Sequence, residues 1–226
     1  MLIYPFPPPS RSQDGDRGLL DRSADALCAM FGLADTAQGS WGNWSRLDEL
    51  QPGHPAFVMR RTADGLSLDT QCWDISGGEA CWPTTRIISV SLPWWRRLAV
   101  RPEQRCLIPV TACTATLPPR PGGTRSRDGG AAWFGLADEP VFTIAGLWRE
   151  TGNARCFAML GCLADAPFPD MPVVIAPADR DAWLTAPWEA VAPLMAPCAP
   201  AQLRIGLPDR AVSFYAEEGL AAATGR

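Results

Sequence analysis

Proline and glycine punctuate this chain so closely that every apolar run ends at strand length. The 23 prolines and 20 glycines divide the second half into Cys106–Val110, Trp133–Leu136, Val141–Trp148, Cys156–Leu163 and Met171–Ala176. Each run is bounded by Gly, Pro or Asp, residues that break regular structure. No run approaches the roughly 18 apolar residues that a membrane-spanning helix needs. Residues 1–9 are apolar but broken by prolines and lack a leading basic cluster, so they make a poor secretory signal. The chain is therefore expected to be cytoplasmic, with no membrane partner.

Upstream of these runs the pattern is equally local. Ser23 is placed to cap a helix over Ala24–Phe31, with Leu27, Met30 and Phe31 on one face and Gly32 closing it. Ala56–Arg61 and Leu66–Trp73 read as paired strands around the turn Ala63-Asp64-Gly65. Leu66, Leu68, Thr70 and Cys72 alternate with polar residues, as in a half-buried strand. Pro93 opens a helix at the first turn, where its missing N–H costs nothing. Asp179–Leu184 and Trp188–Met195 read as short helices separated at Pro187. The sum is an α+β domain of many short, mainly antiparallel strands with a few flanking helices. Residues 1–22 read as a flexible leader, 23–207 as the domain and 208–226 as a C-terminal tail.

Composition removes several chemistries. All 20 basic residues are arginine, which excludes lysine Schiff bases and a P-loop lysine. His54 is the single histidine, and it lies in a Pro-Gly-His-Pro turn that reads as surface loop. The eight cysteines include no pair at the spacing of a zinc knuckle or thioredoxin-like site. They read as buried free thiols, and no metal or cofactor is expected. Cys113, with no basic neighbour in sequence to activate it, reads as inert core. Glu150 and Asp170 would form an acid/base pair only if the fold joined them.

Charge is unevenly distributed. Arg86 to Arg127 contains eight arginines against the single acid Glu103, within a chain of net charge −4. This segment also holds Trp94 and Trp95, and its end is a Gly-rich loop over 118–130. Arginine with aromatic residues suits a phosphate backbone and unstacked bases. A solvated face with core tryptophans is the plainer reading of the same feature.

Five strings in order resemble one family. They are Ser91-Leu92-Pro93-Trp94-Trp95-Arg96, Arg105-Cys106-Leu107-Ile108-Pro109-Val110, Val141 to Trp148, Asp170-Met171-Pro172-Val173-Val174-Ile175, and Asp181 to Trp188. Together they resemble the SOS-response-associated peptidases, also called abasic-site-processing proteins, over 23–205. The resemblance implies a compact α+β domain that binds single-stranded DNA and captures abasic sites. In that family an N-terminal cysteine, exposed by self-cleavage, closes a thiazolidine with the sugar aldehyde. An Asn near an Arg, a Glu and a His support the reaction.

At each of those places this sequence departs. The nucleophile position is Leu2, or Gly15 if the family start aligns inside the chain. The Asn position holds Arg86, its Arg partner Ile88, the Glu position Ala115, and the His position Pro167, in the stretch leading to Asp170. Replacing these groups with apolar or differently charged side chains removes the acid, base and nucleophile together. The expectation is a catalytically silent member, a pseudoenzyme despite the peptidase label, holding single-stranded or abasic DNA without a crosslink. The candidate DNA contacts are Trp73, Arg86, Trp94, Trp95, Arg96 and Arg97. Trp73 would act as a wedge against a base, although Asp74 beside it opposes DNA. Trp148, Phe142 and Ile144 read as core. A protein-interaction or structural module that has lost DNA binding is the alternative, favoured by the pI near 5.0. An active enzyme using other residues is a third.

Overall fold

A computed structural model describes residues 16–33, 48–75, 84–116, 131–151, 154–164 and 168–206. The Gly-rich loop and the C-terminal tail, with Leu2, Gly15 and Pro167, lie outside the described residues. In chain order the elements are β1 (Gly18–Leu19), α1 (Ala24–Phe31), β2 (Glu49–Leu50), β3 (Pro55–Thr62), β4 (Gly65–Cys72) and β5 (Arg86–Ile87). Then follow α2 (Pro93–Ala99), β6 (Arg105–Val110), β7 (Ala112–Thr116), β8 (Ala131–Leu136), β9 (Phe142–Thr151) and β10 (Ala154–Leu163). The chain continues through β11 (Asp170–Pro172), β12 (Val174–Ile175), α3 (Arg180–Thr185), α4 (Trp188–Val191) and β13 (Leu203–Ile205). This is the α+β domain of short, mainly antiparallel strands that the punctuation predicts.

Local signals explain the first elements. Ser23 Oγ accepts the Ala26 amide at 3.3 Å, and Gly32 ends α1 in the left-handed region at φ 59°, where glycine carries no Cβ penalty. The buried face of α1 is Ala24 and Leu27. Met30, expected beside Leu27, points to solvent instead. Strands β3 and β4 form the expected hairpin, paired from Pro55–Cys72 to Thr62–Gly65. Alternation along β4 is less clean than its sequence suggests, because Leu68 and Gln71 are its two buried residues and they belong to opposite faces.

Pairing runs β9-β6-β3-β4-β10, and β10 returns to β9, so five strands close into a barrel. All seams are antiparallel except β4–β10, which is parallel. Register places Val58, Ile108, Ile144, Trp148 and Phe157 on one face, all buried; this is the barrel interior. Gly146 is required there. A Cβ on it would come within 2.5 Å of Ile108 Cδ1, 2.9 Å of Cys106 Sγ and 3.0 Å of the Ala158 carbonyl. Helix α3 packs against β6 and β3, and α2 against β9. Trp183 Nε1 donates to the Cys106 carbonyl at 3.0 Å.

Beyond the barrel, β10 continues into a second sheet through β11. There β7 is central, with β8 along one edge and β1 and β11 along the other. This corrects the expected leader. Asp16 and Leu20 are buried, and Gly18–Leu19 pairs with both β7 and β2, so residues 16–22 belong to the domain. No helix among the described residues is long and apolar enough to cross a membrane.

Candidate functional site

The two sheets meet over a buried ionic cluster centred on Arg86. Strand β5 lies parallel to β10, with Arg86 opposite Met159. Gly161, further along β10, leaves room for the arginine stem: a Cβ there would stand 3.0 Å from Arg86 Cδ and 3.2 Å from its Cγ. The guanidinium then reaches two carboxylates from distant parts of the chain. One terminal nitrogen donates to Asp170 Oδ1 at 2.7 Å. The other pairs with Asp16 Oδ1 and donates to the Thr114 carbonyl at 3.1 Å.

Threonines complete the set. Thr85 Oγ1 donates to Asp16 Oδ2 at 2.9 Å, and Thr116 Oγ1 to Asp170 Oδ1 at 3.1 Å. Asp16 and Arg86 side chains are 4% and 3% exposed, and Asp170 is 21% exposed. Hydrogen bonds to every member make such a buried charge set tolerable. One cation between two anions leaves the cluster with a formal charge of −1.

The cluster draws on stretches of sequence in which the resemblance expects catalytic groups, with Arg86 at the expected Asn position. Asp16 follows Gly15, Thr114 and Thr116 flank Ala115, and Asp170 is three residues beyond Pro167. The fold thus brings four separated segments to one point and fills that point with an ion pair network. Ala115 is buried and apolar, and Ile88 is half-buried, lying 3.5 Å from the position a Cβ on Gly161 would take. Sequence reading missed Asp16, Thr85 and Thr116.

Three of the expected DNA contacts, Trp73, Arg86 and Trp95, are buried instead. Trp73 is 0% exposed; its Nε1 donates to the Thr85 carbonyl at 2.8 Å and its ring stacks on Phe157. A ring held in the core cannot wedge against a base. Arg86 has both terminal nitrogens engaged inside the protein and cannot reach a phosphate. Asp74 accepts the Thr84 amide at 3.0 Å, which gives it a loop-closing role. Arg105, a third part of the basic segment, is also internal: it donates to the Trp183 and Ala186 carbonyls at 2.7 and 2.6 Å, capping α3.

What remains at the surface is α2. Trp94 is 50% exposed and stacks on the buried Trp95 with ring centroids 3.8 Å apart. Arg96 lies over the Trp188 ring at 5.0 Å, and Arg96, Arg97 and Arg101 are all exposed. The helix and the turn after it thus present one exposed tryptophan and three exposed arginines. Trp148, Phe142 and Ile144 are core, as read from the sequence.

The thiols near the cluster are unreactive by environment. Cys113 donates to the Arg17 carbonyl at 3.3 Å, and burial pushes its thiol up to about 12 despite the opposing pull of Arg86. Burial, helped by Asp170, pushes Cys162 up to about 11. Glu150 and Asp170 do not form a pair: Glu150 faces Arg155 and Asp170 faces Arg86. His54 is exposed in its turn, with Nδ1 3.2 Å from the Pro52 carbonyl.

Comparison with known protein families finds no match, and no curated protein matches. Solved structures do. A Bordetella bronchiseptica protein, Northeast Structural Genomics Consortium target BoR19, is 18% identical with a TM-score of 0.65, covering 84% of this chain and 98% of its own. A Bacteroides thetaiotaomicron protein from the same consortium is 12% identical with a TM-score of 0.64, covering 93% and 99%. A phage-related protein from Bordetella bronchiseptica is 14% identical with a TM-score of 0.59, covering 84% and 92%. At these identities the likeness is one of fold.

Proposed function

We propose that this chain is a catalytically silent relative of the abasic-site-processing proteins that binds single-stranded DNA, abasic sites included, without bonding to it covalently. The observation that carries this reading is the Arg86 cluster. Four segments in which the resemblance expects catalytic groups converge, and among the described residues they hold an ion pair set in which both terminal nitrogens of Arg86 are engaged by Asp16, Asp170 and Thr114. The binding half of the reading rests on α2, where Trp94 offers a stacking face and Arg96, Arg97 and Arg101 offer phosphate contacts.

A fluorescence anisotropy titration with a labelled single-stranded oligonucleotide tests the binding half. Three phosphate contacts give a slope of about −2 for log K against log salt. Trp94→Ala should weaken binding roughly 5- to 150-fold, from the loss of about 1–3 kcal/mol of stacking. Its melting temperature should fall by only a few degrees, because the half-exposed ring gives up one stacking contact, with Trp95.

A protein partner is the second reading. It is favoured by the apolar exposure of Leu92, Trp94 and Val100 around the same helix, and by the withdrawal of Arg86 and Arg105 from the basic surface. Absence of DNA binding at low salt would select it.

A further inference from the structure

The parallel seam of the barrel carries two thiols face to face. Cys72 ends β4, Cys156 lies in β10, and they are the single paired position between these strands. Paired positions on neighbouring strands share a sheet face and sit about 5 Å apart. That spacing lies inside the roughly 4.4–6.8 Å Cα window of a disulfide. The two thiols lie close enough for each to perturb the ionisation of the other. Cys72 Sγ also lies 3.5 Å from the Gly53 carbonyl, in the turn whose backbone bonds Trp73 on both sides. Cys156 is buried and Cys72 half-buried, so an oxidant meets Cys72 first.

Position within the fold gives the pair a consequence. Strands β3 and β4 pair along their whole length, and β9 and β10 over most of theirs, whereas β4 and β10 are joined at this one position. A covalent bond here would tie the barrel at a sparsely paired seam.

We propose that Cys72 and Cys156 are a reversible dithiol–disulfide couple that staples β4 to β10 when the chain meets a low-molecular-weight disulfide such as oxidised glutathione. The Cys72 thiolate attacks the glutathione disulfide, forming a mixed disulfide and releasing one glutathione thiolate. The Cys156 thiolate then attacks the Cys72 sulfur and expels the second. Two protein thiols are oxidised, one glutathione disulfide is reduced, and the two protein protons end on the two glutathiones. Burial holds both thiols above their ordinary range; Asp74 adds to this at both, while Arg149, the β9 residue opposite Cys156, opposes it there. Formation is therefore faster in mildly alkaline buffer, since the thiolate is the attacking species.

The test incubates the full chain with excess oxidised glutathione, quenches with an alkylating agent, and maps unreduced peptides by mass spectrometry. The expected result is a Cys72–Cys156 linked peptide and a melting temperature raised by roughly 5–10 °C, reversed by dithiothreitol. In Cys156→Ser, checked for its fold by circular dichroism, Cys72 should retain one glutathione because nothing displaces it. A glutathione adduct that persists on Cys72 in the unsubstituted chain would overturn the proposal. So would a link to any other cysteine, or a link formed only above the melting temperature. Because the readout is the unsubstituted chain's own peptide map, the outcome stands whether or not the variant folds. It is also independent of DNA binding.

Discussion

Replacing Arg86 by methionine keeps the length of the side chain and removes its charge. Asp16 and Asp170 would then face each other with no cation between them, one 4% and the other 21% exposed. Removing one partner of a buried, hydrogen-bonded charge set costs about 3–5 kcal/mol, because the remaining charges stay desolvated and unpaired. For a chain of this length each kcal/mol moves the melting temperature by about 2–4 °C, so a fall of roughly 6–20 °C is expected. Urea denaturation at pH 7.5, read by tryptophan fluorescence and by circular dichroism, gives the free-energy difference and checks two-state behaviour. A second change, Asp16→Asn, removes one of the two carboxylate charges and should recover part of the loss. An Arg86→Met chain within about 1 kcal/mol of the parent would refute the cluster as a structural element.

Two further outcomes follow from the core. Gly146→Ala drives a methyl into Ile108, Cys106 and the Ala158 carbonyl; the side chains yield but the backbone oxygen does not, and a loss of about 1–3 kcal/mol in urea denaturation is expected. Stability should also fall with rising pH above about 9. There the unfolded chain releases its thiol protons, while burial keeps Cys106 and Cys113 protonated in the folded state, Cys113 up to about 12. Each contributes a slope of up to about 1.4 kcal/mol per pH unit. Cys113→Ala should show a shallower decline in urea midpoint between pH 8.5 and 10.5, and an unchanged slope would contradict the burial argument.

Local signals carried most of the architecture. A capping serine with a closing glycine delimits α1, and an Asp-Gly turn between alternating strands delimits the β3–β4 hairpin. What escaped the sequence was set by partners far along the chain. Gly18–Leu19 is two residues long, too short for any periodicity, and becomes a strand only because β7 and β2 flank it. The resemblance cast Trp73 as a surface wedge, yet the Thr85 carbonyl satisfies its N–H and lets the whole ring be buried. The basic segment overstated the basic surface for the same reason. Arg86 is matched by carboxylates 70 residues before and 84 residues after it, and Arg105 by carbonyls 78 and 81 residues on. Charge counting along a sequence registers the arginines and not the acceptors that absorb them.

A chain that holds single-stranded DNA through α2 without reacting with it leaves no covalent complex, which a denaturing gel reads out. The chain is incubated with a fluorescent single-stranded oligonucleotide carrying one abasic site, beside an intact control, and half of each sample is denatured before electrophoresis. The account predicts a complex in the native half that leaves no shifted band after denaturation, at abasic and intact sites alike. A band that survives denaturation only with the abasic oligonucleotide would contradict it, and would place an active nucleophile in this chain.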